Sequence, residues 1–143
     1  MPPLSQPFIS LFMVILSGLI QLGSQLTLGR VIDRLPRPRS DHHRHNYRIA
    51  LTVTAIIVLL GGHFLQVLVW AVRYYTWGEL GDFVNCVYFS LASFTTVGAS
   101  ELELSHVHRM VGAIESAVGM LMFGWSTALL VDVIQRAERA RLS

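Results

Sequence analysis

Apolar positions along the chain gather into three long runs, at residues 8–28, 49–72 and 107–134, and one short run at 83–94. Each long run supplies the ~20 residues that cross a bilayer core. Each therefore predicts a transmembrane helix. The short run is about half that length and predicts a re-entrant helix that dips into the membrane and turns back. Non-helical backbone survives at membrane depth only where it is buried in protein or lines a wet cavity. Residues 95–100, which follow the short run, are thus expected to line a solute path. The fold class expected is an all-α membrane protein of three transmembrane helices, with a re-entrant helix and loop between the last two. Its units are an N-terminal helix (1–29), a basic loop (30–48), a helix-loop-helix module (49–134) and a tail (135–143). Within that module fall an outer helix (49–72), a re-entrant helix (83–94), a loop (95–100) and an inner helix (107–134).

Composition and charge refine this picture. Hydrophobic residues make up 52% of the 143 and charged residues 14%, against about 25% charged in soluble domains. The single cysteine, Cys86, excludes an intrachain disulfide and a multi-thiolate metal site, and reads as an apolar filler. The eleven basic residues are all arginines. Six lie at 30–48 and three in the tail, leaving Arg73 and Arg109 on the other side. The positive-inside rule then predicts a cytoplasmic 30–48 loop and C-terminus, with the N-terminus and re-entrant loop outside. The first run lacks a basic leader and does not read as a signal peptide. A basic excess so small and so distributed suits membrane orientation and points to no nucleic-acid partner.

Polar residues inside the apolar runs are the candidates for chemistry. Ser10, Ser17, Gln21 and Ser24 share one helical face and predict a packing seam. Glu115 lies inside the third run and His63 inside the second, at similar depth when counted from the span ends. Intramembrane ionisable groups mark partners or paths, so a His63–Glu115 pair is expected, with Ser90 or Ser93 as alternative partners for Glu115. Such a group serves either as glue between helices or as a gating element. Gly119 and Gly124 suit a hinge or a close helix contact. Trp70, Tyr74 and Trp77 are expected in an outer interfacial belt, and Trp125 in the core. Asp41-His42-His43-Arg44-His45 has the composition of a weak metal site but reads more simply as a basic linker near lipid headgroups.

Residues 95–101 read Thr-Thr-Val-Gly-Ala-Ser-Glu after the aromatic stretch Tyr88-Phe89-Ser90-Leu91-Ala92-Ser93-Phe94. This resembles the pore loop of tetrameric potassium channels, whose signature is T-T-V-G-Y-G-D after a pore helix. The resemblance extends over about residues 48–134, including an inner helix that opens with Arg109 and carries Gly119 ten residues later. It implies a homotetramer in which each chain contributes one filter strand, in a bacterial plasma membrane. It also implies that the Thr96 hydroxyl and the carbonyls of Thr96, Val97, Gly98 and Ala99 bind the permeant ion. Thr95 would buttress the loop, Tyr88 would flank the filter from the pore helix, and Ser100 and Glu101 would form the mouth.

The outer half departs from the signature. Ala99 replaces a bracing tyrosine. Ser100 replaces a glycine, and a positive φ there would cost roughly 1–2 kcal/mol per chain. Weak discrimination between K⁺ and Na⁺ is the expectation. The ligands implied are monovalent cations and membrane lipids, with no cofactor and no resident metal. A non-conducting channel-like scaffold or accessory subunit is the alternative reading. No H-E-x-x-H, G-x-S-x-G or P-loop is present to suggest an enzyme.

Overall fold

The computed structural model describes residues 5–34, 41–98 and 101–139, with side chains described over 7–34, 46–98 and 101–135. Four helices account for most of them: α1 (Ser5–Arg34), α2 (Asp41–Trp77), α3 (Phe83–Phe94) and α4 (Arg109–Arg139). Three are long and apolar enough to cross a membrane; α3 is a short apolar helix.

The helices outrun the apolar runs because hydropathy reports immersion in lipid, whereas a helix continues until something stops it. α1 and α2 both extend into the arginine-rich stretch, so its described residues, 30–34 and 41–48, are helical rather than a loop. The His-rich stretch 41–45 opens α2; its side chains lie outside the described set. At its other end α2 passes residue 72 and stops only at Gly78, which takes a left-handed φ of 70°. There Gly78 N–H reaches Tyr75 O at 3.0 Å and Glu79 N–H reaches Tyr74 O at 3.5 Å, the Schellman pattern of a glycine-terminated helix. α3 begins where Asp82 accepts a hydrogen bond from Asn85 N–H at 2.7 Å, an N-cap that satisfies an orphan donor.

α2 is the central helix, packing against α1, α3 and α4, while α3 is wedged between α2 and α4. At the α3 level the core holds Met13, Trp70, Tyr74, Cys86, Phe89 and Val111. At the opposite end Leu28, Leu51, Ala55, Leu59 and Val133 pack together. Between them lie Val67, Phe94, Val118 and Met122. The seam on α1 is internal: Ser10, Ser17 and Gln21 are buried, and a side chain on Gly62 would collide with Ser24. The outward faces carry stripes of large apolar residues, such as Phe8, Leu11, Phe12, Ile15 and Leu19 on α1, as lipid requires.

Three aromatic residues sit elsewhere than expected. Trp70 and Tyr74 are fully buried, and Trp70 Nε1–H donates to Ser17 Oγ at 3.1 Å. Both therefore pack inside the helix bundle rather than on its exposed surface. Trp125 is 38% exposed rather than core, because α4 turns that face away from α1 and α2.

Candidate functional site

The segment after α3 folds back onto that helix. Thr95 caps α3, its hydroxyl donating to Leu91 O at 2.7 Å. Thr96 N–H then donates to Ser93 O at 2.9 Å, and Gly98 N–H to Ala92 O at 3.1 Å. These amides satisfy carbonyls that a helix C-terminus otherwise leaves orphaned. No peptide bond among the described residues is cis, and in a trans peptide the N–H and C=O point in opposite directions. The carbonyls of Thr95 and Val97, sharing peptide planes with those two amides, therefore point away from α3. Left-handed residues alternate along the segment: Thr96 has φ 61° and Gly98 has φ 81°. Thr96, Val97 and Gly98 are exposed, Val97 to 81%. Ala99 and Ser100 lie outside the described residues. Glu101 resumes the chain as an exposed turn residue.

Behind this segment the packing is close. An ideal Cβ on Gly119 would lie 1.9 Å from the Phe94 carbonyl oxygen, so α4 touches the end of α3 backbone to backbone. Gly124 has nothing within 4 Å of the same position. The two glycines thus separate: Gly119 is a close-contact site, and Gly124 is free of packing. Tyr88 is exposed on α3, whereas Phe89 turns inward, edge-on to Tyr74 at 5.3 Å.

The two intramembrane ionisable residues take different partners and do not pair with each other. Glu115 is fully buried. Its Oε2 accepts from the Tyr74 hydroxyl at 2.6 Å, and its Oε1 lies 2.5 Å from Ser90 Oγ. Ser90 Oγ is also 2.9 Å from the Val67 carbonyl. His63 Nε2 instead meets Ser126 Oγ at 2.9 Å. The separation follows from helix length. His63 is fourteen residues before the end of α2, ~21 Å along the axis, whereas Glu115 is only ~9 Å into α4 at 1.5 Å per residue.

His63 belongs to a polar ring that ties α1 to the other two spans. Gln66 Nε2–H donates to Gln21 Oε1 at 3.2 Å, and Gln21 Nε2–H donates to Ser126 Oγ at 2.9 Å. Ser126 Oγ thus bridges Gln21 and His63. The buried His63 Nδ1 and Gln66 Oε1 complete no further bond. Gln66 and Ser126 escaped sequence reading, and Gln21 was read as part of the α1 seam without these partners, because an uncharged polar residue in a span gives no signal of its partner.

At the α3 end of the bundle a second cluster fastens the loops that flank α3. Glu79 receives Ser105 N–H at 2.7 Å and Ser105 Oγ–H at 2.8 Å, and lies 2.5 Å from His108 Nδ1. His108 stacks on Trp77 at 4.1 Å, and the Arg73 guanidinium sits 4.4 Å from the same ring. Burial alone would raise the Glu79 carboxyl, but bonds from the Ser105 amide, the His108 ring and the Ser105 hydroxyl hold it below the usual carboxylate range. No group of three metal-ligating side chains occurs among the described residues.

The pore-helix bounds, the backfolded Thr-Thr-Val-Gly segment and the inner-helix contact meet a family comparison. A family model described as an ion channel matches residues 49–136, and the chain belongs to that family of two-span, potassium-channel-like channels. Neither the curated proteins nor the solved structures give a match. The matched region takes in α3 and most of α2 and α4, and leaves α1 outside it.

Proposed function

We propose that this ion channel family member conducts monovalent cations through a homotetrameric pore, passing K⁺ with weak discrimination against Na⁺. The observation that carries the reading is the direction of the Val97 carbonyl. Its peptide partner, Gly98 N–H, is spent on α3, so the carbonyl is presented on the side away from the protein that supports it. Cation filters use rings of such carbonyls in place of hydration water. The Thr96 hydroxyl and the carbonyls of Thr96, Gly98 and Ala99 complete the proposed ligand set, with Ser100 and Glu101 at the mouth.

One chain supplies one wall of a pore. Val84, Tyr88 and Leu91 form an exposed apolar stripe along α3, a helix otherwise enclosed by α2 and α4. We take that stripe as the surface on which neighbouring copies close the ring. The nine-to-two division of arginines supports an external N-terminus and a cytoplasmic C-terminus, as an odd number of spans demands. No cofactor enters this scheme.

Purified full-length protein in liposomes tests it. Flux of K⁺ and Na⁺, with reversal potentials that separate the two ions only weakly, is the expected result. A potassium-over-sodium permeability ratio above about a hundred would overturn the weak discrimination. Absence of cation flux under every gradient would favour a scaffold or accessory subunit instead.

A further inference from the structure

The carboxyl of Glu115 is bonded to hydroxyls alone, and the two hydroxyls bring two hydrogens to three contacts, so an ionised acid would leave one contact without a hydrogen. Ser90 has one hydrogen and two oxygen neighbours, the Val67 carbonyl at 2.9 Å and Glu115 Oε1 at 2.5 Å. A carbonyl can only accept. If Ser90 donates to Val67, the short contact with Glu115 requires a hydrogen from the carboxyl. A neutral Glu115 then satisfies every member in one direction: Tyr74 donates to Oε2, the acid donates to Ser90, and Ser90 donates to Val67. An ionised Glu115 would take the Ser90 hydrogen, detach Ser90 from Val67, and leave a buried charge beside neutral groups. That last arrangement is strongly disfavoured.

We infer that Glu115 is a protonated positioning residue that clamps the pore helix α3 between α2 and α4, and that loss of its proton loosens the filter. The clamp holds α3 at Ser90, one turn before the Ala92 and Ser93 carbonyls that anchor Gly98 and Thr96. Four residues along α4, the Gly119 contact supports Phe94. Deprotonation thus acts on the stretch of α3 whose carbonyls hold the filter amides. The other titratable groups of the packed elements are few. Tyr74 comes from α2 and Cys86 from α3, one turn before Ser90. The described ionisable residues of α1, namely Arg30, Asp33 and Arg34, lie at its far end. His63 faces Ser126 and His108 faces Glu79.

The effect on ions rests on the channel reading above; the proton and the clamp do not. Infrared spectroscopy of the full-length protein in lipid at neutral pH is expected to show a protonated, hydrogen-bonded carboxyl band. Glu115→Gln should remove the band, and Tyr74→Phe, which deletes one donor to the same carboxyl, should shift it. Absence of such a band in the unmodified protein would overturn the inference, as would a band that neither substitution alters.

Glutamine keeps both bonds, donating from its amide to Ser90 and accepting from Tyr74, so Glu115→Gln should reproduce the neutral state. In liposomes, raising pH should change the K⁺/Na⁺ flux ratio of the unmodified protein and leave Glu115→Gln at the low-pH ratio. Identical pH profiles for the two would refute the coupling to the filter. Should neither protein conduct, hydrogen exchange at the Thr96 and Gly98 amides becomes the readout. Acceleration with pH in the unmodified protein beyond that in Glu115→Gln upholds the clamp, and equal behaviour refutes it.

Discussion

The two sides of α3 are finished to different degrees. Its inner side is complete within one chain: Ser90 and Phe94 are fully buried, Glu115 closes on Ser90, and Gly119 lies against Phe94 O. Its outer side is left open, with Val84, Tyr88 and Leu91 exposed and Val97 more so. Both sides belong to a twelve-residue helix, so helix propensity does not account for the contrast. Packing partners do. A single chain supplies what locates α3 and leaves uncovered the surfaces that the proposed tetramer assigns to other copies and to the ion. Substitutions on the inner side should therefore damage the fold of each chain, and those on the outer side should spare it.

The most damaging single change is expected at Gly119. An alanine methyl there meets a backbone carbonyl, which has no rotamer to yield, so Gly119→Ala should cost near the top of the ~1–3 kcal/mol range for overpacking. Thermal unfolding of the purified protein measures it. Gly124→Ala is the control, since its added methyl meets open space and alanine favours helix by up to about 1 kcal/mol. Equal losses at the two glycines would erase the distinction between them.

Tyr74→Phe comes next. It removes the donor to Glu115 Oε2 and keeps the ring against Phe89 and Trp77. A buried acceptor left unsatisfied costs about 1–3 kcal/mol, so denaturation should shift by roughly 2 kcal/mol with helix content preserved. An unshifted transition would mean that the inner side does not depend on the Glu115 bonds.

These contacts differ in how far the sequence reveals them. The span of α3 was readable because the short apolar run, 83–94, coincides with the helix. The three membrane helices were readable from hydropathy alone. Their lengths were not, since Arg73 ended the apolar run while the chain stayed helical to Gly78. That five-residue error paired His63 with Glu115. Ser90, named as an alternative partner, is where Glu115 is found. The Gly119–Phe94 contact and the left-handed Thr96 depend on how α3 and α4 cross, which no local pattern encodes. Gln21 shows the same limit, for its partners lie 45 and 105 residues away.

Outside the membrane the comparison sharpens with Glu79. Its carboxyl titrates below the usual range because it is bonded as an anion, whereas Glu115 is argued to be bonded as an acid. A depressed folded value gives stability that is present above the unfolded carboxylate pKa and lost as pH falls through the folded one. Acidification should thus destabilise the protein, and Glu79→Gln should lower stability at neutral pH by about 1 kcal/mol and flatten that acid dependence. Unfolding midpoints taken from neutral to acid pH in both proteins decide it. An unchanged acid slope in Glu79→Gln would show that other carboxylates carry it.

The smallest effect on the chain itself should come from the open side, and it is the most informative about assembly. Tyr88→Ala removes an exposed ring, and surface substitutions away from special features stay within about 0.5 kcal/mol. Helix content and the unfolding of the separated chain should therefore hold. Cross-linking in lipid should show otherwise, with loss of the four-chain species if neighbouring copies close over the α3 stripe. A tetramer that survives Tyr88→Ala and Leu91→Ala together would mean the stripe faces lipid, and the copies would have to meet along α2 or α4. A chain that unfolds on losing Tyr88 would mean that the open side already contributes to the fold, and the division between the two faces of α3 would fail.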